Sequence, residues 1–556
     1  MKPNWPQRTV PAALVEHYER EGWWTSDTLG TMVAAWLAVA PGVTVDIWSK
    51  TRPWHGSYAD VDHEARQLIS LLHRHGIEPG SVVAFQLPNW REAVVSFAAL
   101  AMGGYVLVPI VHIYGRPEVS FILRQSRAVA YISPAGFGHV NYIDIIDAGD
   151  TEGLRLHIVV GDDDHSPATT PGITRVPWSD TTSCDAMSQL PRGDASDVAV
   201  VAYTSGTTSD PKGVMHSHQT MLSELRHMTG WITPGKSNLM ASPVTHATGM
   251  LGAVLGPLNV SAEIHLLDRW DPAHALEVML TAGIGGGTGA AVFLAGLLDH
   301  PTFTPAHAAN MSRIGLGGAP VPVALGERAA AHGIAIIRAY GSTEHPSTTG
   351  CQFDDPADVR HGTDGRPMPG VEVKLLDDDG GLVAPGLAGE IYSRGPELCL
   401  GYTDTALNDA FDADGWYRTG DIGVIDANGF LTITDRAKDI IIRGGENLSA
   451  AEIEMALESL SGVAEVAVVA APDERLGEHA CAVIRMHAGA EPVTMPDLVN
   501  HLSTRGLARQ KWPEELHIVA DFSRTASGKI RKVDLRRWLR DMTEAHAVSE
   551  AHKGDR

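Results

Sequence analysis

Cysteine is scarce in this chain: Cys184, Cys351, Cys399 and Cys481 are the only four in 556 residues. They lie far apart and form no CxxC pair, which argues against a sequence-local zinc site or a disulfide framework and fits a reducing, cytoplasmic setting. Positive charge is also short, with 43 Lys and Arg against 67 Asp and Glu and a formal net charge of -24. Most of such a surface repels nucleic acid and anionic membranes, so an anionic ligand must be met by locally placed cations. The opening residues, MKPNWPQRTV, lack the apolar run of a secretory signal. One nearly charge-free stretch, Ala93 to Val111, has about the length of a bilayer span. Gly103, Gly104 and Pro109 break it, so it reads as a buried helix to about Met102 followed by the strand YVLVPI. No internal repeat and no low-complexity block is present.

What remains is an ordinary globular composition, 44% hydrophobic and 20% charged, over a length that implies several domains. The pattern alternates from SVVAFQL through a helix starting at Trp90, YVLVPI, the helix RPEVSFILRQS and the strand AVAYIS. Alternation of this kind predicts an α/β fold: a large multi-layer N-terminal domain with mainly parallel sheets. From about Asp364 the texture turns to short β-rich segments with frequent turns. After Asp435 follows a compact α+β pattern: helix SAAEIEMALESL, strands VAEVAVVAAP and HACAVIRM, and a helix near Met495. The expected division is therefore an N-terminal domain over 1–435, with a β-rich subdomain at about 364–435, and a small C-terminal domain over 436–556. The polar tail after about residue 543 is expected to fray.

Chemistry concentrates first in TSGTTSDPKG, Thr204 to Gly213. Gly206 and Gly213 allow close backbone approach, Thr204, Ser205, Thr207 and Thr208 offer hydroxyls, and Lys212 supplies a point charge, a set suited to a triphosphate. The internal spacing is wrong for a Walker A loop, and Gly213 stands where that loop needs Ser or Thr. Ser205 is not in GxSxG, which removes a hydrolase elbow. A Ser/Thr-rich surface turn is the competing reading of the loop by itself.

The loop is followed in order by GGAP from Gly317, YGSTE from Tyr340, YRTGD from Tyr417, DRAKDIIIRGGEN from Asp435 and SRTASGKIRK from Ser523. This series resembles that of the acyl-adenylate-forming (AMP-dependent) synthetases, a superfamily of acyl-CoA synthetases, peptide-synthetase adenylation domains and luciferases. The recognisable signatures run from about Tyr203 to Lys532. The resemblance implies that Thr204, Ser205, Gly206, Thr207, Thr208 and Lys212 cradle the phosphates of ATP. Gly318, Ala319, Tyr340 and Gly341 would hold the adenylate, with Tyr340 stacked on adenine. Thr343 would bond the α-phosphate, and Glu344, with Thr204, would hold magnesium. Asp421 and Arg436 are implied as ribose contacts, and Lys529 as the cation that bridges acyl oxygen and phosphate. Lys438 matches the hinge on which the C-terminal domain rotates, and Gly444 and Gly445 of GGEN match the face that then lines the thiol tunnel. Arg443 is a candidate contact for coenzyme A phosphates. Each position has a plainer alternative: a strand-end turn for YGSTE, a turn Asp for Asp421, a surface ion pair for Arg436, and a solvated basic run for Lys529 with Arg531 and Lys532.

Peptide-synthetase adenylation domains place an Asp near the position of His246 to meet an amino group, whereas this chain reads PVTHATGM there. That argues against amino acid substrates, and His246 resembles the side chain that gates the acyl pocket. Gly286, Gly287 and Gly289 fall where the family builds its acyl-pocket wall and leave room for an elongated or ring-bearing acid, or else serve close backbone packing. Ser209 departs from the usual glycine of the phosphate loop, and Ala450 from a common proline. His216 and His218 have metal-like spacing but no partner motif, and read as structural. The expected activity is an AMP-forming acid–thiol ligase using ATP, magnesium and coenzyme A on a small apolar carboxylic acid, fatty, alicyclic or aromatic. It is expected to have no nucleic acid partner and no transmembrane segment, and oligomerisation is left open. The alternatives are loading of a separate carrier protein, luciferase-like oxygenation and an inert nucleotide-binding relative.

Overall fold

A computed structural model of the chain describes residues 4–542 except 139, 162–169, 205–210, 233–236, 378, 444–445, 474 and 526–528. Its contacts divide the chain into two compact units. The larger comprises Met1–Val373 with Ser393–Tyr417, the smaller Lys374–Tyr392 with Arg418–Arg556.

The larger unit is a layered α/β body. A seven-stranded sheet runs in the order Lys212–Ser217, Val198–Thr204, Val106–Pro109, Val82–Phe85, Ala130–Pro134, Leu156–Val160 and Thr174–Pro177. Its neighbours are parallel except for the first pair, which forms an antiparallel hairpin. A five-stranded sheet orders Gly285–Gly286, Asn238–Met240, Ile264–Leu266, Thr44–Ile47 and Trp54–Ser57. One core cluster draws residues from both sheets, Val83, Phe85 and Leu107 from one and Val45, Ile47 and Ile264 from the other, together with the helices Leu29–Val39, Tyr58–Arg74 and Arg91–Met102. The apolar stretch that mimics a membrane span thus begins as a helix that is buried nearly all round because it lies in this core. It ends at Gly103 and passes into the strand Val106–Pro109, as its sequence predicts. Packing there is close enough that a Cβ on Gly30 would sit 2.2 Å from the Ala101 carbonyl oxygen. Among the described residues no helix is long and apolar enough to cross a membrane.

A third sheet pairs Arg313–Gly317 with Ala335–Tyr340 in parallel and adds Thr349–Gly350 and Arg366–Pro367 antiparallel. In the smaller unit the strands Tyr417–Ile425 and Leu431–Arg436 pair antiparallel. In its other sheet the long strand Gly477–Met486 is central, paired with the edge strand Val463–Asp473 and with Ile441–Arg443 and Glu515–Val519. The helices Ala450–Leu457 and Met495–Thr504 contribute to one core of that sheet and the C-terminal helix, residues 532–542, to another. The four cysteines are free and buried.

Candidate functional site

Two sheets of the larger unit end in the predicted motifs. Thr204 closes the strand Val198–Thr204 and lies opposite Lys212 in the hairpin register. Gly213 must be glycine here, since a Cβ would meet Thr403 Oγ1 at 2.5 Å and the Tyr203 ring at 2.9 Å. Both ends of the phosphate-type loop are therefore clamped; Ser205, Gly206, Thr207, Thr208 and Ser209 lie outside the described residues. In the third sheet Gly317 is the register partner of Ala339, so Gly318 and Tyr340 stand side by side at the carboxyl ends of parallel strands, the usual place for a ligand in such sheets. Gly318 has φ +74°, a left-handed conformation that suits glycine. Ala319, beside it, is half-buried.

YGSTE forms a tight turn beyond Tyr340. The Ser342 N–H donates to the His345 carbonyl at 2.9 Å, and a Cβ on Gly341 would fall 1.7 Å from the Pro346 oxygen. The turn is held from beneath. His345 bonds Ser393 Oγ at 2.8 Å and Glu397 Oε1 at 2.9 Å, both buried, and the His216 ring bonds the Thr343 carbonyl at 2.8 Å. Burial pushes His216 down to about 4, so it is neutral and donates from Nε2 while Nδ1 faces the Thr220 hydroxyl at 3.2 Å. His218 accepts from the Leu29 N–H at 3.1 Å. The two histidines are structural, as their sequence context suggests, and one of them positions Thr343.

Tyr402 ties the two motifs together. Its hydroxyl donates to Glu344 Oε1 at 2.7 Å and lies 3.4 Å from the Tyr417 hydroxyl, while Lys212 Nζ sits 5.9 Å from its ring centroid. Burial and the Glu344 charge push both phenols up, so they stay protonated donors. Sequence reasoning missed Tyr402 because GYTDT is no motif. Its only signal is an aromatic between two recognised blocks.

A second buried acid lies close by. Ser347 Oγ donates to Glu224 Oε1 at 2.5 Å. Burial, with the charge of Glu397, pushes Glu224 from its ordinary 4.5 up to about 8. The native state then holds a proton that the unfolded chain has released, so rising pH through that window favours unfolding. Glu224→Gln is expected to flatten the fall in melting temperature between about pH 5 and pH 8. Melts of both proteins across that range check it, and equal slopes would contradict the assignment.

His246 is half-buried and held by a separate set of contacts. Asn89, fully buried, donates to the Ser242 and Leu267 carbonyls at 3.0 Å and accepts from the Val244 N–H at 2.8 Å, which fixes the chain leading to His246. Beyond it Met250–Leu255 winds as a π-helix, a form frequent at functional sites. Neither Asn89 nor the π-helix is signalled by the sequence. Packing is close along the glycine-rich stretch: Gly289 exchanges backbone bonds with Gly315 and Gly317, each at 3.0 Å, and Cβ atoms on Gly285 and Gly286 would crowd Asn310 and Met279.

In the smaller unit Asp421 and Arg436 are strand partners, and Arg436 Nε meets Asp421 Oδ1 at 2.9 Å. Asp421 is buried and Arg436 exposed, so the pair presents one carboxylate and one guanidinium at a strand end. Lys438 sits in the 3₁₀ turn Ala437–Asp439 between two strands. Gly444 and Gly445 lie outside the described residues, and Arg443 pairs with Glu514 at 2.6 Å. Lys529 closes a short hairpin, with its N–H on Thr525 Oγ1 at 3.1 Å and its carbonyl accepting from the Thr525 N–H at 2.8 Å. Its neighbours are not a free basic run: Arg531 pairs with Asp534 at 3.3 Å and Lys532 with Glu454 at 2.7 Å.

Comparison with known proteins gives concordant matches. The profile of the AMP-binding enzyme family matches residues 36–403, and that of the AMP-binding enzyme C-terminal domain matches residues 452–529. The medium-chain fatty-acid–CoA ligase of Escherichia coli (strain K12) is 34% identical over 493 residues, 87% of this chain and 86% of that one. A feruloyl-CoA synthase from an Amycolatopsis species is 30% identical over 486 residues, 86% of this chain and 93% of its own. The ATP-bound structure of MatB from Rhodopseudomonas palustris superposes with a TM-score of 0.81 at 26% identity, covering 93% of this chain and all of that one.

Proposed function

The chain belongs to the AMP-binding enzyme family, and we propose that it joins an apolar carboxylic acid to coenzyme A with ATP as the energy source. The acid oxygen attacks the α-phosphorus and pyrophosphate leaves. The thiol sulfur of coenzyme A then attacks the acyl carbon, the thiol proton is lost, and AMP departs. The observation that carries this reading is the grouping of Thr204, Lys212, Thr343 and Glu344 about Tyr402 and His216.

In this assignment Lys212 and the loop that starts at Thr204 take the phosphates, while Thr343 bonds the α-phosphate. Gly318, Ala319, Tyr340 and Gly341 hold the adenylate, and Asp421 with Arg436 holds the ribose. Lys529 bridges the acyl and phosphate oxygens. The Glu344 carboxylate and Thr204 hydroxyl form a hard oxygen donor set that fits magnesium, and Tyr402 orients one Glu344 oxygen. Bound there, magnesium would offset phosphate charge. His246 gates the acyl pocket. Residues 436–556 act as the mobile domain that turns at Lys438 and brings Gly444 and Gly445 to the thiol.

Two observations support an apolar acid: PVTHATGM offers no carboxylate for an amino group, and the relatives are named for medium-chain fatty acids and feruloyl-CoA. A panel of fatty, alicyclic, aromatic and amino acids, scored for coenzyme A-dependent AMP formation, tests it. Fatty or ring-bearing acids are expected to give AMP and thioester. Fastest turnover with amino acids, and none with apolar acids, would overturn the substrate class.

A further inference from the structure

Sequence spacing excludes a local zinc motif, yet strand pairing in the smaller unit assembles ligands from distant segments. Cys481 of the strand Gly477–Met486 is the parallel register partner of Glu515, and His517 follows two residues along the same strand, on the same face. One ligand atom from each of Cys481, Glu515 and His517 lies within 4.8 Å of the other two. His517 Nε2 is 2.6 Å from Glu515 Oε1. The second carboxylate oxygen meets His479 Nε2 at 3.2 Å, and His479 precedes Cys481 by two residues on the same face. The geometry points to a divalent transition-metal site, zinc by preference, with Cys481 Sγ, a Glu515 oxygen and a His517 nitrogen as ligands.

A plain ion-pair cluster does not account for the thiol. Cys481 is fully buried in the core beneath the C-terminal helix, beside Leu535 and Leu539. His479 Nδ1 is buried without a hydrogen-bond partner, 3.7 Å from Asp473 Oδ2. The donor set decides the metal. Thiolate and imidazole select zinc and its neighbours over magnesium or calcium, which take oxygen alone. Thiolate and carboxylate together cancel the charge of a divalent ion. Binding forms the metal–sulfur bond and releases the thiol proton to solvent. The fourth position falls to water, and the half-buried His517 and Glu515 leave the site open on one side.

Support for the ring comes from the C-terminal helix, whose Trp538 meets His517 edge-on with centroids 4.8 Å apart. A metal here would fasten the strand Glu515–Val519 to its neighbour and, through His517, to that helix. Those two elements flank the hairpin that carries Lys529.

The test uses the full chain, stripped by a chelator and then loaded with Zn²⁺ or Co²⁺ as the probe. One equivalent is expected to bind, and X-ray absorption of the zinc form of the wild type should show one sulfur at about 2.3 Å among nitrogen and oxygen neighbours. Cobalt should give a sulfur-to-metal charge-transfer band that Cys481→Ala abolishes. His517→Gln should weaken zinc binding by at least about 10-fold. Failure of the wild type to retain stoichiometric zinc, or a zinc shell without sulfur, would overturn the assignment. So would an unchanged cobalt band in folded Cys481→Ala.

Discussion

Lys529→Ala is expected to slow acyl-adenylate formation by about 10² to 10³, the usual loss when a donor aimed at transition-state charge is removed. Attack of a carboxylate on the α-phosphate brings two anions together, and on a chain of net charge -24 no general field offsets that repulsion. A cation placed at the reacting oxygens must supply it. Lys529 fits because its backbone is fixed at the foot of a hairpin by two bonds to Thr525. The second half-reaction breaks the bond between acyl carbon and AMP and does not need that bridge. Thioester formation from supplied acyl-adenylate should therefore remain near the wild-type rate. Separate assays of the two halves check this; equal loss in both would point to a different role for the lysine.

Lys438→Pro should show the opposite split. If the C-terminal domain turns at Lys438, the backbone there takes two conformations in each catalytic cycle. Proline would fix φ near about -65° and restrict Ala437 before it. Lys438 lies in a single 3₁₀ turn between two strands. The proline variant is expected to retain adenylation and to lose thioester formation by more than about 10-fold, as for a hinge locked in one state. Lys438→Ala, with a free backbone, should keep both. A folded proline variant that completes both half-reactions at normal rates would move the pivot elsewhere.

Much of this fold is legible from local rules. The helices Arg91–Met102 and Arg116–Ser126 and the strands between and beyond them follow from period, glycine stops and β-rich runs. The helix Ala450–Leu457 begins at the Ser449 cap, whose hydroxyl accepts from the Glu452 N–H. The candidate site is legible where its residues fall in contiguous motifs, such as the Thr204 and Lys212 ends of the phosphate-type loop and Tyr340 to Glu344. It is illegible where long-range contacts do the positioning. Tyr402 reaches Glu344 across 58 residues of sequence, His216 reaches Thr343 across 127, and Asn89 reaches Val244 across 155. No local pattern encodes such pairs, because the register of distant strands and loops creates them. The same holds for Cys481 and Glu515, where isolated residues become neighbours only once two strands pair.

The most direct test of the central claim follows an oxygen atom. A fatty acid carrying ¹⁸O in both carboxylate positions is turned over with ATP and coenzyme A, and the products are weighed by mass spectrometry. If the acid oxygen attacks the α-phosphorus, that oxygen stays on phosphorus when the thiol takes the acyl group. The account predicts one labelled oxygen in AMP, one in the thioester carbonyl and none in pyrophosphate. Label in inorganic phosphate with ADP as the nucleotide product, or unlabelled AMP, would contradict it.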